Sequence, residues 1–77
     1  MNNVAEEALR LFGARVRELR MQRGVSQEQL AFEAGVHRTY LSSVERGQRN
    51  VALINIYRLA AALDVPVAAL FPDRSSR

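Results

Sequence analysis

The sequence lacks cysteine, tryptophan and lysine, and its 77 residues include only two prolines and four glycines. Without cysteine, neither a disulfide nor a thiolate metal site can form, and the composition is compatible with a cytoplasmic location. No apolar run approaches the roughly 20 residues that span a membrane. Glu6 and Glu7 stand where a secretory signal would carry basic residues. We therefore expect a cytoplasmic protein with no membrane segment, cofactor, metal ion or small-molecule ligand.

Arginine supplies all of the positive charge. The chain has 11 arginines against 8 acidic residues, which gives a net charge of +3 and a pI near 10.6. Residues 1–34 carry five Arg and five Glu, whereas residues 35–50 carry three Arg and only Glu45. The middle of the chain is thus the part best suited to a polyanionic partner, although +3 alone is weak support for nucleic-acid binding.

Apolar periodicity predicts an all-α chain of five helices. We expect them at about 4–23, from Ser26 to Gly35, at 38–46, at 52–63, and in a short segment that begins at Pro66. Gly13 lies inside the first helix, where it costs up to about 1 kcal/mol relative to alanine, and we interpret it as a point of close helix packing. A chain of 77 residues fits one small domain, 1–77.

Residues at the helix ends mark a short turn between the second and third helices. Gly24 and Gly35 are each followed by valine, which is typical of left-handed helix ends with an apolar contact. Ser26 and Gln29 have the spacing of a capping box. A capped helix, a turn that contains glycine and a second helix predict a helix-turn-helix over about 26–47.

The third helix has two distinct faces on a helical wheel. Leu41, Val44, Tyr40 and His37 fall on one side. The other side carries Arg38, Thr39, Ser42, Ser43 and Arg46. Guanidinium groups can bind base edges or phosphates, and the small hydroxyl residues between them allow a close approach. This face therefore predicts a surface that reads nucleic acid.

The residues on and beside the third helix do not support an enzymatic or metal-binding function. Ser42, Ser43, His37 and Glu45 are the residue types of a hydrolase triad, but they lie on one short helix and cannot converge on one point. His37 is the single histidine and has no further ligands at metal-binding spacing, so we place it near a phosphate at the helix start. We expect no catalytic activity.

The fourth helix is apolar around most of its circumference, with Asn55 and Arg58 facing one way. Such a wide apolar arc exceeds what one core-facing side needs, which indicates a subunit contact over about 52–71. In the fifth helix, Val67, Leu70 and Phe71 could either cover the core or join two subunits. We assign the predicted homodimer interface to Ile54, Tyr57, Val67, Leu70 and Phe71.

From Phe12 to Phe71 the chain resembles the phage-repressor-type, or XRE, helix-turn-helix family. The resemblance lies in the segments RVRELR, RGVSQEQLA, GV and SSVERG, which occur in the order and spacing of that family. The segment RTYLSSVERGQRN is further similar to controller proteins of restriction-modification systems. Phage repressors, plasmid repressors and antitoxins also carry related segments.

The resemblance implies a role for individual residues. Arg38, Thr39, Ser42 and Ser43 match positions that read bases in the major groove. Positions that contact the DNA backbone are matched by Gln27, His37, Tyr40, Arg46, Gln48, Arg49 and Asn50. Arg20 and Glu45 match a structural ion pair. Ala52 departs from the family pattern, which places Thr or Ser there, so the cap of the fourth helix must come from Asn50 or water.

The resemblance further implies a transcriptional regulator that binds a palindromic operator in double-stranded DNA as a dimer and controls its own promoter. A phage-type or plasmid-type repressor is the alternative, as is an antitoxin-like module that binds a partner protein. Activation of transcription would require a contact with RNA polymerase, for which Glu6, Glu7, Glu28 and Glu33 are candidates.

Overall fold

The computed structural model describes residues 3–72, which form four α-helices and one 3-10 turn. The helices are α1 (Asn3–Arg23), α2 (Gln27–Ala34), α3 (Arg38–Glu45) and α4 (Leu53–Leu63), and the 3-10 turn is Val67–Leu70. No strand occurs in this part of the chain, and the predicted all-α helix-turn-helix fold is confirmed.

The prediction of a fifth α-helix was wrong. Pro66 lies before the turn rather than in its first helical position, and Ala69 N–H donates to Pro66 O at 2.9 Å. Phe71 N–H donates to Ala68 O at 3.2 Å before the backbone becomes extended. These bonds join residues three apart, as in the tighter 3-10 geometry, and the segment is too short to build an α-helical ladder.

The core lies where α1, α2, α3 and α4 meet. Its most deeply buried large side chains are Leu30, Leu41, Leu59, Leu70, Val16 and Val44. Helix α1 packs against α3 and α4, α2 packs against α3 and α4, and the 3-10 turn covers α4 and α1. The predicted inward face of the third helix is confirmed at Leu41 and Val44, but His37, which the helical wheel placed on the same side, is exposed.

Leu70 was wrongly assigned to the dimer interface. Its exposed fraction is 0%, so it belongs to the core of one chain and has no surface for a second copy. Phe71 is 51% exposed, and its ring lies 5.3 Å from the ring of Phe12. Ile54 and Tyr57 are also exposed, and Val67 is half-buried. The four remaining residues keep the accessibility that an interface requires.

Both predicted left-handed helix ends are present. Gly24 has φ 78° and Gly35 has φ 75°, and the valine after each donates its N–H back into the preceding helix. This backbone region disfavours any residue with a Cβ. The two glycines therefore stop α1 and α2 and turn the chain toward the next helix.

Only one of the two hydrogen bonds of the predicted capping box is present. Ser26 Oγ accepts from Gln29 N–H at 3.0 Å, but the Gln29 side chain donates to Glu33 at 2.7 Å instead of returning to Ser26. Glu33 also pairs with Arg23 of α1 at 2.7 Å. The hydrogen bond from Gln29, followed by the hydrogen bond and the charge of Arg23, lowers the pKa of the Glu33 carboxyl. Gln29 thus stabilises a surface contact between α1 and α2 rather than the helix start.

Helix α4 begins without a side-chain cap. Ala52 occupies the N-cap position, where no side chain bonds the first turn, so Asn50 does not supply the expected cap. The helix accordingly starts at Leu53, one residue later than predicted.

Gly13 lies at a close approach of α1 to α3. A Cβ built at this position would lie 2.1 Å from Val44 O and 2.9 Å from Glu45 O. These are backbone atoms near the end of α3, so they cannot move aside by a side-chain rotation. The interpretation of Gly13 as a packing contact is confirmed, and it brings the end of α3 directly against α1.

Candidate nucleic-acid interface

A hydrogen-bonded network centred on the buried Glu45 joins α3 to α1 and α2. Arg20 of α1 donates from Nε to Glu45 Oε2 at 2.7 Å and from Nη2 to Glu45 Oε1 at 3.0 Å. Gln27 of α2 donates to the same Oε1 at 3.0 Å, and Arg20 Nη1 donates to Val25 O at 3.0 Å. The ion pair implied by the family resemblance is therefore present, and it has two-pronged geometry.

The network is also electrically complementary. The side chain of Glu45 is 2% exposed and that of Arg20 is 11% exposed. The hydrogen bond to Glu45 raises the pKa of the Arg20 guanidinium, an effect opposed by its desolvation. No side-chain polar atom buried within residues 3–72 lacks a hydrogen-bond partner. The end of α3 thus has a fixed position relative to the other two helices.

The first turn of α3 carries two exposed side chains. Arg38 and Thr39 are exposed, and no residue in the described range forms a side-chain hydrogen bond or ion pair with either. His37 precedes them as the N-cap residue, is also exposed, and makes no side-chain capping bond. The polar groups of these three side chains are therefore available to an external ligand.

Farther along α3, the predicted polar residues are linked to one another. Arg46 donates to the hydroxyl of Ser42 and, through Nε, to Gln48 at 3.2 Å. Ser43 donates its hydroxyl proton to Tyr40 O at 2.8 Å and accepts from Arg49 Nε at 3.4 Å. The serine hydroxyls lie within hydrogen-bonding reach of the two guanidiniums. The second half of the predicted surface is thus a linked set of side chains.

Tyr40 connects α3 with the following loop and α4. The Arg49 guanidinium lies over the Tyr40 ring, 5.2 Å from its centroid. The phenol oxygen accepts from Asn55 Nδ2 at 3.1 Å, and Asn55 Oδ1 accepts from Arg58 at 3.4 Å. Asn55 and Arg58 were not among the predicted site residues. Their signal in the sequence was a pair of polar residues three apart on an otherwise apolar helix.

The structure places nearly all predicted DNA contacts on α3 and the loop that follows it. Asn50 lies in this loop and is exposed. Gln27 differs because it belongs to α2, and one of its amide protons is used inside the Glu45 network. Gln27 therefore holds α3 in place, whatever else it contacts.

Residues 3–72 were also compared with the requirements of metal sites and membrane-spanning helices. No group of three or more His, Cys, Asp or Glu side chains in this range is arranged to hold a metal ion. None of the helices in it combines the length and apolar character needed to cross a bilayer.

Comparison with known proteins agrees with this geometry. A helix-turn-helix family model, HTH_3, matches residues 16–70. Control protein C.BamHI of Bacillus amyloliquefaciens is 54% identical over 56 residues, which cover 71% of this chain and 69% of that protein. Control protein C.MunI of a Mycoplasma species is 40% identical over 63 residues, covering 80% of this chain and 85% of the relative.

Solved structures give the same result. The restriction-modification controller protein C.AhdI from Aeromonas hydrophila superposes with a TM-score of 0.81 at 57% identity, covering 82% of this chain and 96% of that one. The family model begins within α1 and extends through α2, α3, α4 and the 3-10 turn. The chain therefore belongs to the helix-turn-helix family HTH_3, a family of DNA-binding transcription regulators.

Proposed function

We propose that this protein is a sequence-specific regulator that binds a palindromic operator as a homodimer and controls its own promoter, as a restriction-modification controller protein. The observation that carries the proposal is that Arg38 and Thr39 are exposed and have no side-chain partner among residues 3–72, on a helix whose orientation the Glu45 network fixes. A rigid helix with free donors at its N-terminal end is suited to reading bases in the major groove.

The remaining polar residues of α3 and its loop would follow the DNA backbone. Arg46 and Arg49 are exposed cations whose side chains are already held by Ser42 and Ser43. Side chains ordered in advance lose less conformational entropy when they bind phosphate. Base reading is thus assigned to the start of α3, with Ser42 and Ser43 as further base contacts, and phosphate binding to its end.

The exposed part of α4 supports the dimer. Ile54 and Tyr57 are three residues apart and are 60% and 56% exposed, and Leu53 beside them is 65% exposed. Phe71 adds a further apolar surface at 51%. Two copies joined by a two-fold axis through this surface would place their α3 helices at half-sites about 34 Å apart.

Selection of bound sequences from random duplex DNA tests the whole proposal, with the stoichiometry of the complex read by native mass spectrometry. We expect a two-fold-symmetric site that holds two or four chains, with a copy upstream of the protein's own gene. An operator found only at other genes would favour the phage-type repressor. A dimer that enriches no sequence would overturn the proposal in favour of a module that binds a partner protein.

Arg38→Ala and Arg49→Ala form a matched pair that separates base reading from phosphate binding. We expect Arg38→Ala to cost about 1 to 3 kcal/mol on the operator and little on random DNA, because a base contact carries the sequence information. Arg49→Ala should weaken both kinds of binding and reduce the slope of log K against log salt by about one. Fluorescence anisotropy across a salt series measures both. Equal losses from Arg38→Ala on the two DNAs would refute its assignment to bases.

Tyr57→Asp tests the dimer surface. A carboxylate at the centre of an apolar interface is left without a partner, so we expect a monomer by sedimentation equilibrium at concentrations where the wild type is a dimer. Phe32→Asp is the matched control, because Phe32 is an aromatic residue that is 81% exposed on α2. If the Tyr57→Asp variant is still a dimer and the Phe32→Asp variant is a monomer, the interface lies on α2 instead of α4.

A further inference from the structure

Asn55 links α4 to the DNA-facing side of α3 through an amide whose orientation is determined by its neighbours. Its Oδ1 accepts from Arg58 Nη1 at 3.4 Å, and its Nδ2 donates to the Tyr40 hydroxyl oxygen at 3.1 Å. A guanidinium has only donors, so the amide atom that faces Arg58 must be the oxygen. The nitrogen therefore faces Tyr40.

This orientation decides what the Tyr40 hydroxyl can do. A phenol has one proton to donate and lone pairs that accept. Because Asn55 donates to it, the phenol oxygen acts as the acceptor in this bond, and its own proton is not used. No group within residues 3–72 accepts that proton. The Tyr40 hydroxyl is thus left as a donor for an external acceptor.

The surroundings of Tyr40 indicate the chemistry of that acceptor. The Arg49 guanidinium lies 5.2 Å from the ring centroid and is also held by Ser43 at 3.4 Å. A neutral O–H donor beside a cation suits an anionic oxygen acceptor, and on a DNA-binding surface the abundant one is a backbone phosphate.

We propose that Asn55 is a positioning residue that orients the Tyr40 hydroxyl as a hydrogen-bond donor to a DNA phosphate, beside the Arg49 guanidinium. This rests on the proposed operator binding and adds a residue on α4 to it. Asn55 acts through Tyr40, so the effect of removing its amide must depend on whether the Tyr40 hydroxyl is present.

A double-mutant cycle measures this dependence. Tyr40→Phe, Asn55→Leu and the double variant are compared with the wild type for affinity to the selected operator, by anisotropy at one salt concentration. We expect each single variant to bind about tenfold more weakly, the size of one hydrogen bond to a charged group. The double variant should bind no more weakly than Tyr40→Phe alone.

Asn55→Asp adds an isosteric test of hydrogen-bond direction. A carboxylate only accepts, so it would take the Tyr40 proton away from the phosphate. Its added negative charge also repels DNA, but that repulsion persists when Tyr40→Phe is combined with it. We expect Asn55→Asp to reduce operator affinity by a several-fold larger factor when Tyr40 is present than when it is replaced by Phe. Thermal midpoints and sedimentation of all variants show whether the fold and the dimer are retained.

If the losses of binding free energy from Tyr40→Phe and Asn55→Leu were additive in the double variant, the inference would be overturned. Asn55 would then act on DNA directly or only on the fold. Full affinity of Tyr40→Phe would overturn it as well. Either result leaves operator binding by the wild type intact and so spares the proposed function. A wild-type chain for which no operator can be selected would instead overturn both.

Discussion

Glu45→Ala is expected to lower the free energy of unfolding by about 3 to 5 kcal/mol, because it leaves Arg20, whose side chain is only 11% exposed, without its counter-charge. Three hydrogen bonds end on this carboxylate, two from Arg20 and one from Gln27. A protein of this size has a free energy of unfolding on the order of 5 kcal/mol, so the variant should keep no more than about 2 kcal/mol at 25 °C. Urea denaturation followed by circular dichroism measures the change.

The exposed ion pair between Arg23 and Glu33 supplies the control. Its N–O distance of 2.7 Å equals that of the buried pair, but its side chains are 37% and 28% exposed. Arg23→Ala should therefore cost less than about 1 kcal/mol. The double change Arg20→Met with Glu45→Leu removes both charges and should recover much of the lost stability. If Glu45→Ala and Arg23→Ala lowered the free energy of unfolding equally, burial would not be the cause of the stability contributed by the Glu45 network.

Gly13→Ala is expected to lower the free energy of unfolding by about 2 to 3 kcal/mol, as in other overpacked cores. Helix propensity alone predicts the opposite, a gain of about 1 kcal/mol in the middle of a helix. The clash should prevail, because the new Cβ would lie 2.1 Å from Val44 O, a backbone atom of α3. For a chain of this length the melting temperature should fall by about 10 to 20 °C.

Gly24→Ala distinguishes lack of space from backbone strain. Gly24 has φ 78° and no atom within 4 Å of a built Cβ, so only the left-handed backbone opposes alanine there. We expect a loss of about 1 to 2 kcal/mol, smaller than that of Gly13→Ala. A rise in melting temperature for Gly13→Ala would mean that α1 and α3 can separate freely, contrary to the structure.

The two predictions also bear on DNA binding. Gly13 of α1 packs against the backbone of α3, and Glu45 of α3 pairs with Arg20 of α1. Conservative substitutions at these two positions that still allow the chain to fold should shift α3 relative to the rest of the protein. Stability and operator affinity are therefore expected to fall together in such variants.

Local signals in the sequence determined the helices and their ends. Gly24, Gly35 and Ser26 act on neighbours within one helical turn, so their effects could be predicted from spacing alone. On α3, the apolar residues Leu41 and Val44 likewise revealed the buried side. The ion pair between Arg20 and Glu45 spans 25 positions and was predicted through the family resemblance, because spacing carries no such long-range information.

Tertiary structure alone decided the remaining features. Whether Leu70 covers the core or joins two subunits depends on the path of the chain after α4, and the short segment folds as a 3-10 turn that places it inside. The bond between Asn55 and Tyr40 joins residues 15 positions apart on different helices. Periodicity identifies which side of a helix is polar, but only packing brings two particular side chains within hydrogen-bond distance. The sequence by itself thus determined the helix-turn-helix and its exposed face, and the packed fold decided which polar groups on that face remain free to bind.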